Sequence, residues 1–415
     1  LAPKPTQQEQ CALAYLHSPV AIRERCQQVL GLAHTDCLSH FAYHPDQLAA
    51  AVAYVVGVMH EAYPTLTIPW HSRWRHFGVG GVDRLAQLAE CLGTLDTMEQ
   101  ARCRFELVIT SVLLDAGAGG DWHYYEAATG QTYTRSEGLA VASFHMFLTG
   151  LFSSRKGAPW QADAQGLQSV TAARLGEALQ ATAANPLVGL EGRVALLRRL
   201  GEVVASTPHY FGTVAPRLGN LLDALCASAI QGVLSARRLL LAVLDSLSPI
   251  WPGRLTLGGV NLGDVWQHQQ VHGDGLTTGL VPFHKLSQWL TYSLIEPLAE
   301  AGVRVEGSDE LTGLAEYRNG GLLLDLGVLT PKHDGVLGGV HRPDSEVVVE
   351  WRALTVALLD CLADQVRASL GLSLQDLPLA KVLEGGTWRA GRQIARERRA
   401  NGSPPLHLLS DGTVF

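Results

Sequence analysis

The 415-residue chain is 47% apolar and 17% charged, the opposite of the balance that leaves a chain disordered, and it is long enough to bury most of the surface its unfolded form exposes. Its 32 basic and 39 acidic residues give a formal net charge of −7, without the basic excess of a nucleic-acid binder. No stretch approaches the roughly 20 apolar residues of a membrane span.

In chain order, residues 12–30 carry apolar side chains at three- and four-residue steps. The pattern breaks at Ser18-Pro19, where Ser18 is placed to cap a second helix. Helical periodicity continues over 46–60, ended by Tyr63-Pro64, and then over 85–95, 98–114, 137–151, 193–205, 218–244, 284–301, 347–370 and 379–399. Extended character is confined to 254–262 and 303–306, two short stretches expected to pair. No strand–helix alternation of the doubly wound kind appears. The fold class is therefore mainly α: one large helical body over 1–415 with a few short strands. The Ala/Gln/Gly-rich stretch at 155–190 is its loosest part.

Seven cysteines stand at 11, 26, 37, 91, 103, 226 and 361, with no Cys-x-x-Cys and no zinc-finger spacing. That pattern suits buried or free thiols in a reducing cytosol. No signal-peptide core follows residues 1–5, so a cytoplasmic location is expected. The chain has no Gly-x-Ser-x-Gly, no His-Glu-x-x-His, no Walker loop and no Gly-x-Gly-x-x-Gly. No metal and no organic cofactor is expected.

Five polar clusters interrupt the apolar pattern. The first holds Trp70, His71, Arg73, Trp74, Arg75 and His76. Aromatic faces hold a sugar or planar ligand while arginine grips an anion; alternatively, the tryptophans plug the core from a surface loop. The second places Asp115 at the end of an apolar helix, with glycines after it that let backbone approach a ligand, and then Arg135, Ser136 and Glu137. Ser136 reads as the cap of the next helix and Glu137 as an acid in its first turn. The third is Asp264, between a glycine and an apolar pair. In the fourth, His284 is followed by a helix on which Lys285, Gln288 and Tyr292 share one face, with Trp289 beside them. A buried lysine needs an acid or a ligand unless its stem snorkels. In the fifth, Glu316, Tyr317, Arg318 and Asn319 precede Gly320-Gly321. That cluster is either a site or a buried salt-bridge corner.

Together the blocks at 63–77, 111–119, 135–144, 280–298, 311–321 and 410–415 resemble a fungal and bacterial family of uracil-catabolism proteins long filed as a domain of unknown function. The resemblance spans nearly the whole chain. It implies a pathway role in which a cyclohydrolase-like partner opens the uracil ring on its ribose. The product, ribosylurea, expected as its 5′-phosphate, is converted to urea and the sugar, most simply by hydrolysis of the N-glycosidic bond. Residues 283–288 and 311–318 also look like paired blocks of the queuosine-salvage glycosidases, which are helical and related in fold to DNA glycosylases. This second resemblance implies such a core in the C-terminal half. Where those enzymes show Asp-Tyr-Arg, this chain has Glu316-Tyr317-Arg318, one methylene longer.

Glycosidic cleavage passes through an oxocarbenium-like state that carboxylates stabilise while water is activated. The candidates are Glu316, Asp264, Asp115 and Glu137, with Glu316 and Asp264 central. Lys285 would hold a carboxylate ionised or donate toward the urea oxygen. Arg73, Arg75, Arg318 and Arg392 suit a phosphate, and Trp70, Trp74 and Trp289 form apolar walls. His71, Arg135, His284, Gln288, Tyr317 and Asn319 complete the substrate contacts. The partner is a small ribosyl molecule, with neither nucleic acid nor membrane involved. Two alternatives stand: a metal-dependent amidohydrolase acting on the urea group, and a non-catalytic ligand-binding protein.

Overall fold

The break predicted at Ser18 is present. Its hydroxyl accepts the Ala21 amide at 3.1 Å and divides helix Gln7–Leu16 from Pro19–His34. Thr6 and Glu9 close a reciprocal capping box on the first of these helices. The computed structural model describes residues 4–251 and 254–409; the resembling block at 410–415 lies outside them. Helix accounts for 57% and strand for 10%, so the chain is mainly α. Helices Leu48–Ala62, Arg84–Leu92, Thr97–Leu113, Arg135–Leu148, Leu190–Ser206, Lys285–Glu300 and Glu346–Leu370 stand where the periodicity put them. Among the described residues no helix is long and apolar enough to cross a membrane.

Three stretches differ from the expectation. Residues 218–244 are not one helix. Asn220–Ser228 and Ala236–Leu247 are separated by left-handed turns at Gln231 (φ 52°) and Gly232 (φ 74°) and by strand Val233–Ser235. An α-helix cannot pass through two such residues, although the apolar steps on both sides imitate one. Stretches 254–262 and 303–306 do not pair with each other. Thr256–Leu257 folds back on Val260–Asn261, while Arg304–Glu306 runs parallel to Val233–Ser235; a two-residue Gly-Gly loop makes the local hairpin the nearer partner. Finally, 379–399 holds helix Leu379–Val382, a π-turn at Leu383–Thr387 and helix Trp388–Arg398. A π-turn adds one residue to a helical turn and is frequent at functional sites.

Residue contacts gather the chain into two units. The first comprises residues 4–71, 254–288 and 307–409, and the second 72–251 and 289–306. In the first, the long apolar helix Glu346–Leu370 packs against Pro19–His34 and Leu48–Ala62. Arg23 donates to Asp360 at 2.7 Å, and the buried Glu350 carboxylate accepts the amides of Ser39 and His40 at 3.1 Å each. Tyr317–Asp325 packs on Trp388–Arg398. A Cβ placed on Gly391 would stand 2.2 Å from the Arg318 carbonyl oxygen. Gly391→Ala is therefore expected to cost at least the ~1–3 kcal/mol typical of overpacking, because the obstruction is backbone and cannot rotate aside. Urea denaturation measures this, and an unchanged midpoint would show that the two helices part freely.

In the second unit, Thr97–Leu113 packs on Arg135–Leu148, and Leu190–Ser206 packs on Ala164–Gln168. The hairpin His123–Glu126 with Gln131–Thr134 is held by the buried Arg84, whose Nε donates to Glu126 at 2.8 Å. The 155–190 stretch carries the short helices Ala164–Gln168 and Ala172–Ala178.

Candidate functional site

In the first unit, strand Val265–Gln267 pairs with Leu280–Pro282. His284 then turns the chain into Lys285–Glu300 with φ at 45°, a left-handed conformation uncommon for a residue with a side chain. Such strain costs on the order of 1–3 kcal/mol and collects at functional sites. His284 is buried, and its Nε2 donates to the Leu16 carbonyl at 2.9 Å. Burial, with His17 alongside, pulls its pKa down to about 4, so the ring is neutral at pH 7.

Asp264 sits at the foot of this hairpin. Both of its oxygens are taken by Arg352, at 2.7 and 2.8 Å, and they also accept the Trp266 indole at 2.6 Å and the Lys285 amide at 3.0 Å. Burial alone would raise its pKa, but the Arg352 guanidinium and these hydrogen bonds hold the carboxyl far below the ordinary range. A carboxylate so saturated is a fixed anion and a poor acceptor of a water proton. Arg352 also lies over the Phe283 ring at 4.1 Å and donates to the Ala315 carbonyl at 3.3 Å. It thereby ties residues 264, 283 and 315 to the long helix.

Next along the chain, half-buried Glu316 caps helix Tyr317–Asp325. Its two oxygens accept the amides of Arg318 at 2.7 Å and Asn319 at 2.6 Å. The Arg318 guanidinium donates instead to the Gly402 carbonyl at 2.9 Å, so the pairing inside this cluster runs through backbone amides. Burial raises the Glu316 pKa above the usual carboxylate value, opposed by those two amides and by the charges of Lys285 and Arg318. Gln288 is buried and holds Thr312 at both ends, donating to its hydroxyl at 2.7 Å and accepting its amide at 2.9 Å. Asn319 is buried, and its Oδ1 has no hydrogen-bond partner among the described residues. Tyr317 lies under the Arg318 guanidinium at 4.9 Å.

Also in this unit, His71 Nδ1 donates to Glu384 Oε2 at 2.8 Å, with the two side chains only 5% and 4% exposed. The His71 ring lies 5.7 Å from that of Trp388, over which Arg392 stands at 4.8 Å. Trp70 is half-buried.

The second unit has its own cluster. The Arg73 side chain is 0% exposed. Its Nε donates to Ser111 at 2.7 Å, and its Nη1 reaches Ser136 and Asp115 at 3.2 Å and His76 at 3.1 Å. Trp289 lies 5.5 Å from its guanidinium carbon. Ser136 does not cap its helix, which begins at Arg135. Its hydroxyl donates instead to Asp115 at 2.6 Å, and the backbone at Arg135 just before it is left-handed (φ 54°). Glu137 occupies the first turn, as predicted. Trp74 is buried with its indole on the Ser293 carbonyl, and Arg75 is paired with Glu296 at 2.5 Å. Arg73 and Arg75 thus already face carboxylates.

A family model described as "Protein of unknown function (DUF1688)" matches residues 15–415. The chain belongs to the DUF1688 family. It is 41% identical over 413 residues to Protein urg3 of Schizosaccharomyces pombe, covering 97% of this chain and 99% of that one. It is 34% identical over 437 residues to Uracil catabolism protein 4 of Lachancea kluyveri, with the same two shares.

Three residues of this DUF1688 chain that the sequence reading passed over hold the clusters in place. Arg352 lies within an apolar helix. Arg193, fully buried, donates to the carbonyls of Leu114, Ala116, Gly117 and Val188 and so fixes the loop after Asp115. Burial brings its pKa down to about 10. Glu384 holds His71. All three are charges inside apolar periodicity, and that was the available signal.

Proposed function

We propose that this chain hydrolyses the N-glycosidic bond of ribosylurea, expected as its 5′-phosphate, to give urea and the sugar. The relative named for uracil catabolism supports the pathway. The observation that carries the reaction is Glu316, a half-buried carboxylate at a helix start whose two oxygens accept the Arg318 and Asn319 amides, in the field of Lys285 and Arg318. An anion fixed there by two amides is preorganised against the positive charge that develops on the sugar. The neutral substrate feels it weakly, so the contact acts mainly in the transition state. Asp264 serves as a brace: with Arg352 it fixes the start of the helix that carries Lys285 and Gln288. Arg392, over Trp388, is the group offered to the phosphate.

The test is to incubate pure, chelator-treated protein with ribosylurea and with its 5′-phosphate. Urea and the free sugar or its phosphate are expected. Ammonia would mean attack on the urea group, and binding without turnover would mean a ligand-binding role.

A further inference from the structure

The segment that delivers Glu316 has no regular secondary structure. Residues 311–315 are buried, yet they lie in neither helix nor strand, so their backbone polar groups need partners from outside the segment or from side chains. Arg23 donates to the Leu311 carbonyl at 2.9 Å, Asn319 to that of Leu314 at 3.2 Å and Arg352 to that of Ala315 at 3.3 Å. The Thr312 amide donates in turn to Gln288 Oε1 at 2.9 Å. We infer that Gln288 is a positioning residue, whose side-chain amide sets where Glu316 stands relative to Lys285. This rests on the glycosidase reading.

Gln288 is 0% exposed. Its Nε2 donates to the Thr312 hydroxyl at 2.7 Å and to the Phe283 carbonyl at 3.2 Å. Both amide hydrogens and the oxygen are therefore engaged inside the protein, and the residue acts on a substrate through what it holds. Lys285 stands three positions before Gln288 on the same helix, and positions three apart share a helix face. Thr312 stands four positions before Glu316. The amide thus ties the helix of one charge to the segment of the other, and the Lys285 charge favours the Glu316 anion. The long helix backs the segment, since a Cβ on Gly313 would stand 2.6 Å from Leu359 Cδ1. Gln288 adds the tie to Lys285 that this packing does not give. Arg352 makes a second tie, from Asp264 to Ala315, but its removal leaves a carboxylate unpaired. Gln288 is neutral, so its removal tests position without stranding a charge.

The experiment follows urea release and melting temperature in the full chain. Gln288→Met keeps the length of the side chain and removes its three hydrogen bonds. Its kcat per folded molecule should fall about 10- to 100-fold, the scale of a displacement near 1 Å. KM should change little, because the contact at stake acts mainly in the transition state. Lys285→Met gives the readout that a scaffold role would not move. If Gln288 works by placing Lys285 against Glu316, Gln288→Met should add little to the loss that Lys285→Met already causes, whereas independent losses multiply. Thr312→Val removes only the hydroxyl half of the clamp. It should show the same coupling with a smaller loss, and it carries the test if Gln288→Met does not fold. Wild-type kcat in both clamp variants, or losses that multiply in full with Lys285→Met, would remove the positioning role while the wild type still releases urea. A wild type that releases no urea from ribosylurea or its 5′-phosphate removes the glycosidase reading and the positioning role with it.

Discussion

Glu316→Gln is expected to slow urea release by two to three orders of magnitude, because one preorganised electrostatic contact to the transition state is worth about 3–4 kcal/mol. Substrate affinity should change much less. The cost in stability should be modest. Glu316 serves its helix as a cap, and a poorer cap costs on the order of 1 kcal/mol, whereas a broken buried ion pair would cost about 3–5 kcal/mol. Stability against pH adds an independent check. Burial raises the folded-state pKa of Glu316. Its contribution is therefore fully present below the ordinary carboxylate pKa and is lost as pH rises through the folded value. The stability of the wild type relative to Glu316→Gln should fall across that window. A variant that melts much earlier but keeps its rate per folded molecule would make Glu316 scaffold.

Arg352→Met should be the most destabilising single change among the cluster residues, by roughly 3–5 kcal/mol at neutral pH, because it leaves Asp264 charged without its partner. The two side chains are 1% and 16% exposed, so little solvent screens the loss. The pH dependence should also invert. In the wild type the depressed Asp264 pKa gives stability that is present above the unfolded value and lost as pH falls through the folded one. In the variant, burial is opposed only by the Trp266 and Lys285 hydrogen bonds, so that pKa rises and acid should partly restore the fold. Adding Asp264→Asn to Arg352→Met should recover much of the stability at neutral pH. Thermal melts from pH 3 to 8 decide this. A constant offset between wild type and Arg352→Met would show that the pair is not the source.

Most helices were legible because their apolar steps and caps are local. Ser18 marked a boundary that its hydroxyl enforces. The parallel pairing of Val233–Ser235 with Arg304–Glu306 was not legible, because its partner lies about 70 residues away and two left-handed residues hid inside a helical pattern. The site was legible in part. Glu316, Lys285, Gln288 and Asp264 stood out as polar residues where periodicity asked for apolar ones, and they do fall in one unit. What sequence spacing cannot give is the partner. Asp264 was read as a catalytic carboxylate because Arg352, 88 positions on, was concealed in a long apolar helix. Ser136 was read as a cap because the turn at Arg135 could not be foreseen. His71 was noted beside its tryptophans, but not with Glu384, 313 residues later.

The interleaving of the two units has a consequence for biosynthesis. Residues 4–71 emerge from the ribosome ahead of the rest of the described chain, yet their partners, such as Asp360 for Arg23 and Glu350 for the Ser39–His40 turn, are made more than 300 residues later. At about 5–20 residues per second, the N-terminal helices wait some tens of seconds with their apolar faces exposed. The longest uninterrupted stretch of one unit is 72–251, and it is complete before 307–409 is made, so it is the natural first unit to condense, although its strand Val233–Ser235 still awaits residues 304–306. Contacts this distant in sequence slow folding. The nascent chain therefore carries exposed apolar faces over much of its translation, and loss of residues 346–370 would leave the helices of 4–71 without the helix they pack on.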